Sequence, residues 1–90
     1  MVKYKKSDMS LVFHALADPT RRRLVEAMGR RERTVGDLAE PLSMSLPAVS
    51  KHLGVLERAG LLHRRRDGRS HHMRFNPEGL IPAMSWIEMH

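Results

Sequence analysis

A mainly helical fold of about five helices, with a helix-turn-helix backed by a two-stranded β-hairpin, is what the sequence predicts from three observations. A short turn at Ser43-Met44 joins two amphipathic helical stretches, and the second starts after Ser45, a good N-cap. That second stretch runs Leu46-Pro47-Ala48-Val49-Ser50-Lys51-His52-Leu53 and closes at Ala59-Gly60-Leu61. Directly behind it, residues 61–66 and 69–75 flank Asp67-Gly68, a strong two-residue hairpin signal in an arginine-rich context. Together these features describe a winged helix-turn-helix.

The remaining elements follow in order. Met9, Val12, Phe13 and Leu16 form one apolar stripe at helical spacing, so a first helix starts near Ser7 or Asp8. Asp18-Pro19 restarts the chain, with Asp18 as cap and Pro19 in the first turn. This second helix carries Leu24, Val25 and Met28 inward and its arginines outward. Thr34 with Asp37 resembles a capping box, and Val35, Leu38, Ala39 and Leu42 supply the third stripe. Pro41 lacks an N–H and ends or distorts that helix. Gly60 is placed to stop the fourth helix in a left-handed conformation. Asn76-Pro77 breaks the second strand, and from about Glu78 a last helix carries Leu80, Ile81, Met84, Trp86 and Ile87. It ends one turn after Trp86, so this short apolar helix calls for more chain or for a partner.

Ninety residues make a single domain with a thin core, which pairing with a second copy would strengthen. The net charge of +6 favours a polyanionic partner. The charge is concentrated in Arg21-Arg22-Arg23, in Arg30-Arg31 with Arg33, and in Arg64-Arg65-Arg66 with Arg69. With no cysteine, the chain has no disulfide, thiolate metal site or thiol chemistry, which fits a reducing, cytoplasmic setting. No apolar run approaches the ~20 residues of a membrane span. The N-terminal stretch Met1-Val2-Lys3-Tyr4-Lys5-Lys6 is basic but lacks the apolar core of a signal peptide.

At helical steps of 100°, Val49, Leu53 and Leu56 share the core side of the fourth helix. Pro47, Lys51, Gly54 and Arg58 lie opposite, with Ser50 on the flank. In a helix-turn-helix the first turns of the second helix meet base edges in the major groove, and Ser45, Pro47, Ala48, Ser50 and Lys51 occupy those turns. Serine serves several bases, and lysine reaches guanine O6 and N7. Gly54 costs the helix ~1 kcal/mol against alanine, and either DNA clearance or simple tolerance accounts for it. His52 lies at the border of core and surface, as a half-buried packing residue or a phosphate contact. Strand alternation prevents Arg64, Arg65, Arg66 and Arg69 from all pointing one way. They read as phosphate and minor-groove contacts, or as a solvated edge protected by charge.

Six histidines raise the question of a metal. His71 and His72 are adjacent in a strand and face opposite ways. A turn at Asp67-Gly68 places His63 across from His72, but no carboxylate is positioned to complete a tetrahedron. No spacing points to a catalytic triad or carboxylate pair, so an enzyme is not expected, and neither a cofactor nor a metal is assigned.

Ala15-Leu16-Ala17-Asp18-Pro19-Thr20-Arg21 resembles the N-terminal signature of the ArsR/SmtB-like bacterial winged-helix regulators. Val35-Gly36-Asp37-Leu38-Ala39 resembles their third-helix motif, and residues 45–53 with Leu56-Glu57-Arg58-Ala59-Gly60-Leu61 resemble their recognition helix and its exit. The likeness spans roughly residues 10–80. It implies a sequence-specific transcriptional regulator, a homodimeric repressor at an inverted-repeat operator, usually near its own promoter. It implies dimerisation helices at 8–17 and 78–90, with Met9, Val12, Phe13, Leu80, Met84, Trp86 and Ile87 at the interface. It implies a helix-turn-helix at 34–59 and a wing at 61–75. Ser45, Pro47, Ala48, Ser50, Lys51 and His52 would face double-stranded DNA, with Arg65, Arg66 and Arg69 on its backbone. The Cys-x-Cys of the family's metal sensors is missing at Val35-Gly36, and the last helix has no Asp-x-His set before His90. No metal response is therefore expected, and no inducer is identified. The competing readings are a winged-helix protein-interaction module and a metal-responsive repressor using histidines alone.

Overall fold

A computed structural model describes the backbone of residues 6–90 and the side chains from residue 9 onward; residues 1–5 of the basic N-terminal stretch lie outside it. Helix α1 covers Lys6–Leu16. Helix α2 covers Pro19–Arg30 and is capped by Asp18, whose carboxylate accepts the Arg21 N–H at 3.0 Å. Helix α3, Val35–Ala39, opens with a complete capping box. The Asp37 N–H donates to the Thr34 hydroxyl and the Thr34 N–H to the Asp37 carboxylate, both at 3.2 Å. Around Pro41 the chain tightens into a 3-10 turn, Glu40–Leu42. Ser43 then takes a left-handed φ of 53° and reverses the chain. Helix α4, Leu46–Arg58, starts on the Ser45 cap, whose hydroxyl accepts the Ala48 N–H at 3.2 Å. Gly60, with φ +76°, releases the chain from α4 as the sequence predicts.

The hairpin pairs β2 (Leu62–Asp67) with β3 (Ser70–Phe75), but its turn lies one residue later than expected. Asp67 pairs with Ser70, leaving Gly68-Arg69 as the loop, with Gly68 at φ +62°. A glycine of positive φ in the first central position suits a type II′ turn, and the pattern expected from the sequence put it second. Such a one-residue slip changes every cross-strand partner. His63 stands opposite Arg74 rather than His72, and His72 stands opposite Arg65. The histidine pair weighed as metal ligands is therefore not formed. A short strand β1 (Arg33–Thr34) pairs with the other edge of β3, so the expected two-stranded ribbon is a three-stranded antiparallel sheet in the order β1-β3-β2. Two residues are too few to leave a periodic signal in sequence.

The core gathers Leu24 and Met28 from α2, Leu38 from α3, Val49, Leu53 and Leu56 from α4, and Met73 from β3. Val12 and Ala15 of α1 join them. After β3 a 3-10 turn (Pro77–Leu80) leads into α5, Ile81–Met89, which packs on α1 and contributes Ala83 to the core.

Two corners are fastened together where α4 meets β2 and β3 meets α5. The Asn76 N–H donates to the Leu61 carbonyl, and the Asn76 amide to the Gly60 carbonyl, both at 2.9 Å. Gly79 packs so closely on Gly60 that an added Cβ would collide with the Gly60 carbonyl oxygen and crowd Leu61. Gly79→Ala is expected to destabilise the fold by about 2–3 kcal/mol through overpacking against backbone. Urea unfolding checks this, and a midpoint equal to the parent's would show that the corner opens freely.

Candidate nucleic-acid interface

Burial of Val49, Leu53 and Leu56 fixes which side of α4 faces out. Of the residues assigned to DNA, Ser45, Pro47, Ser50 and Lys51 are exposed, and Ala48 and His52 are half-buried. Ser45 is the N-cap, so its oxygen accepts from Ala48 while its O–H stays free to donate. Leu46 is 55% exposed at the first position of α4. The sequence hides this because Leu46 falls on the same heptad stripe as Val49, Leu53 and Leu56; only its place at the helix end leaves it outside the core. Gly54 has a local explanation as well. A Cβ there would lie 3.3 Å from an Arg58 guanidinium nitrogen, so the glycine makes room for Arg58 over the helix surface.

The first arginine cluster does not simply point outward. Arg21 Nε donates to the Ala15 carbonyl at 2.8 Å and its Nη2 to the His14 carbonyl at 3.0 Å, and Arg22 donates to the Leu16 carbonyl at 2.7 Å. These are the last carbonyls of α1, which have no partner within the helix and carry its negative end. The remaining Arg21 nitrogen lies 3.2 Å from His52 Nδ1. A guanidinium only donates, so Nδ1 is the acceptor in this contact. One side chain thus ties α1, α2 and α4 together. Asp18 is held below the usual aspartate pKa, chiefly by the Arg21 N–H and further by the charge of Arg21.

The wing arginines also separate into roles. Arg64 reaches back to Glu57 of α4, 3.2 Å away. Arg65 makes a forked pair with Glu32, on the loop between α2 and β1, at 2.7 and 3.2 Å. His72 lies 4.0 Å from the same carboxylate. Arg66 donates to the Gly68 carbonyl at 3.1 Å across the turn. Arg69, at the tip, is exposed and has no carboxylate partner among the described residues. Glu32 is therefore a site residue that sequence reading missed, since it lies 33 positions from Arg65 and no local pattern links the two. Among the described residues, no group of three His, Cys, Asp or Glu is placed to hold a metal ion.

The interface assigned to dimerisation is partly inside the domain. Val12 is 1% exposed and belongs to the core of the single chain, while Met9 and Leu80 are half-buried. Phe13, Met84, Trp86 and Ile87 are exposed. Phe13 and Trp86 meet edge to face, with ring centroids 6.3 Å apart, and so join the outer surfaces of α1 and α5.

The Arg65 hydrogen bond, reinforced by the charges of Arg65, His72 and Arg74, holds Glu32 below the ordinary glutamate pKa of 4.5. Its contribution to stability is accordingly present above pH 4.5 and lost as the pH falls through the lowered folded value. Carbon-detected NMR titration should find Glu32 depressed in the parent and restored toward the ordinary value in Arg65→Gln. Equal titration in both proteins would mean that the pair does not persist in solution.

Comparison with known proteins matches this geometry. A model described as a helix-turn-helix domain fits residues 16–65. The transcriptional repressor SdpR of Bacillus subtilis is 33% identical over 79 residues, covering 88% of each chain. A crystal structure of the ArsR family transcriptional regulator RHA00566 superposes with a TM-score of 0.87 at 32% identity, covering 99% of this chain and 91% of that one. The homodimeric winged helix-turn-helix domain of Mb0332 from Mycobacterium bovis has the same fold, with a TM-score of 0.76 at 23% identity over 99% of this chain and 88% of that one. Family and fold are those of DNA-binding regulators, not of enzymes, and the chain belongs to the ArsR family of winged helix-turn-helix transcriptional regulators.

Proposed function

We propose that the chain acts as a homodimeric repressor that reads an inverted-repeat operator, its own promoter among its targets. The observation that carries this reading is the exposed first two turns of α4 standing beside a basic hairpin. Ser50 and Lys51 read base edges, with Lys51 directed to guanine. Leu46 supplies an apolar contact for a thymine methyl, and Ser45, Pro47 and Ala48 allow close approach of the backbone. Arg66 and Arg69 grip phosphates. Arg65, engaged by Glu32, sets the angle of the wing, and His52 orients α4 through Arg21.

The dimer reading rests on Phe13, Met84, Trp86 and Ile87, large apolar side chains left open on adjoining faces of α1 and α5. A patch of this kind on so small a domain marks an association surface. Two-fold pairing through it would present two reading helices to successive major grooves and so demand a symmetric operator. The Mb0332 domain, which has the same fold, is homodimeric, in keeping with a dimer here.

Fluorescence anisotropy with the chain's own upstream promoter fragment and a scrambled duplex, across several salt concentrations, tests the reading. The promoter fragment should bind more tightly, and Lys51→Ala should lose about 1–3 kcal/mol of that preference. Arg69→Ala should weaken both duplexes alike and reduce the salt slope by about one. Parent-like binding by both variants would mean that the proposed docking is wrong. In sedimentation equilibrium, Ile87→Glu should shift the protein toward monomer, since it places a charge on a side chain that is 58% exposed; an unchanged association constant would move the dimer interface elsewhere.

A further inference from the structure

A groove of about 270 Å³ runs between α2 on one side and α3 with its following 3-10 turn on the other. Arg23, Ala27 and Arg30 line it from α2, spaced so that they share one face of the helix. Leu38, Pro41 and Leu42 line the opposite wall, and Arg33 of β1 completes the lining. Three guanidiniums thus meet two carboxylates, Glu26 and Asp37. The Asp37 carboxylate already accepts the Thr34 N–H in the capping box. Among the described residues, Arg23, Arg30 and Arg33 are in no ion pair. Arg33 goes further: its Nε is buried and has no acceptor. Arg33 as a whole is half-buried, so its guanidinium keeps donors that an acceptor in the groove could meet.

The chemistry of the lining defines that acceptor. A guanidinium fork suits a carboxylate or phosphate group, and the positive excess of three arginines over Glu26 and Asp37 disfavours a cation. Ala27, Pro41 and Leu42 give the groove an apolar part, which a bare inorganic ion would leave uncovered. The volume falls just below the range for drug-sized ligand sites, ~300–1,000 Å³, and so suits a compact ligand. We propose that this groove binds a small organic anion, its acidic group on Arg33 and Arg30 and its compact apolar body on Ala27, Pro41 and Leu42. The site is independent of the proposed operator and dimer. It touches α3, which packs on α4, so an occupant would be felt at the reading helix.

Benzoate serves as the probe, with benzyl alcohol as its neutral counterpart and inorganic phosphate as the anion without an apolar body. Each is titrated at constant ionic strength into the full isotope-labelled chain, followed by amide NMR. Benzoate should give saturable shifts at Ala27, Arg30 and Leu38, with benzyl alcohol and phosphate each binding at least about fivefold more weakly. Arg33→Gln should weaken benzoate about tenfold. Arg30→Gln, an exposed change that leaves the fold untouched, should weaken it as well and guards against a folding defect in the Arg33 variant. The proposal is overturned if benzoate gives no saturable shifts in the groove or if either control matches it. Undiminished binding in the Arg30 variant would overturn it too.

Discussion

Val49, Leu53 and Leu56, one face of α4, set the rotation of that helix about its own axis, and the chemistry of the opposite face depends on that setting. Each buried side chain contributes ~1.5–3 kcal/mol, so turning the helix to expose them would cost a large share of a small domain's stability. With the rotation fixed, Ser50 and Lys51 have nowhere to point but outward. The Ser45 cap fixes where the helix begins, and the left-handed Ser43 fixes the angle at which α3 enters it. Arg21 then braces the helix from the side through His52, using the last carbonyls of α1 as its anchor.

A net charge of +6 gives an incomplete picture of how the molecule meets a polyanion. Arg21 and Arg22 close the end of α1, Arg64 and Arg65 hold the wing to α4 and to the α2–β1 loop, and only part of the charge is left facing solvent. Exposed ion pairs contribute ~1 kcal/mol at most, so these contacts matter more for orientation than for stability. A forked guanidinium–carboxylate pair has a preferred plane, and Glu32 thereby defines where the hairpin stands relative to the helices. Lys51, Arg66 and Arg69 are among the exposed cations that the proposed docking assigns to DNA.

What could be read from sequence was local. The caps at Asp18, Thr34 and Ser45 act within three residues of themselves, and Gly60 acts on its own backbone, so each was legible. The apolar stripe of α4 was legible for the same reason, since helical periodicity repeats within the element. The features that escaped depend on distant partners or on ends. The hairpin register turned on which central position the glycine occupies, a difference of one residue. Strand β1 exists only because β3 offers an edge. Val12 stands in the set assigned to the dimer interface, yet it is buried in the core of the single chain, and Gly79 has a role only because Gly60 lies against it. The interface was legible as a set of outward residues on α4 and not as a division of labour among the wing arginines.

The central claim, that paired copies read duplex sequence through α4, is tested most directly by selecting binders from a random duplex library with the purified chain at moderate salt. Two-fold symmetry predicts enrichment of an inverted repeat whose half-sites are centred about 10 bp, or a multiple of that, apart. Enrichment of an unpaired site would contradict the dimeric arrangement. Recovery of the library unchanged would contradict sequence reading by α4 altogether.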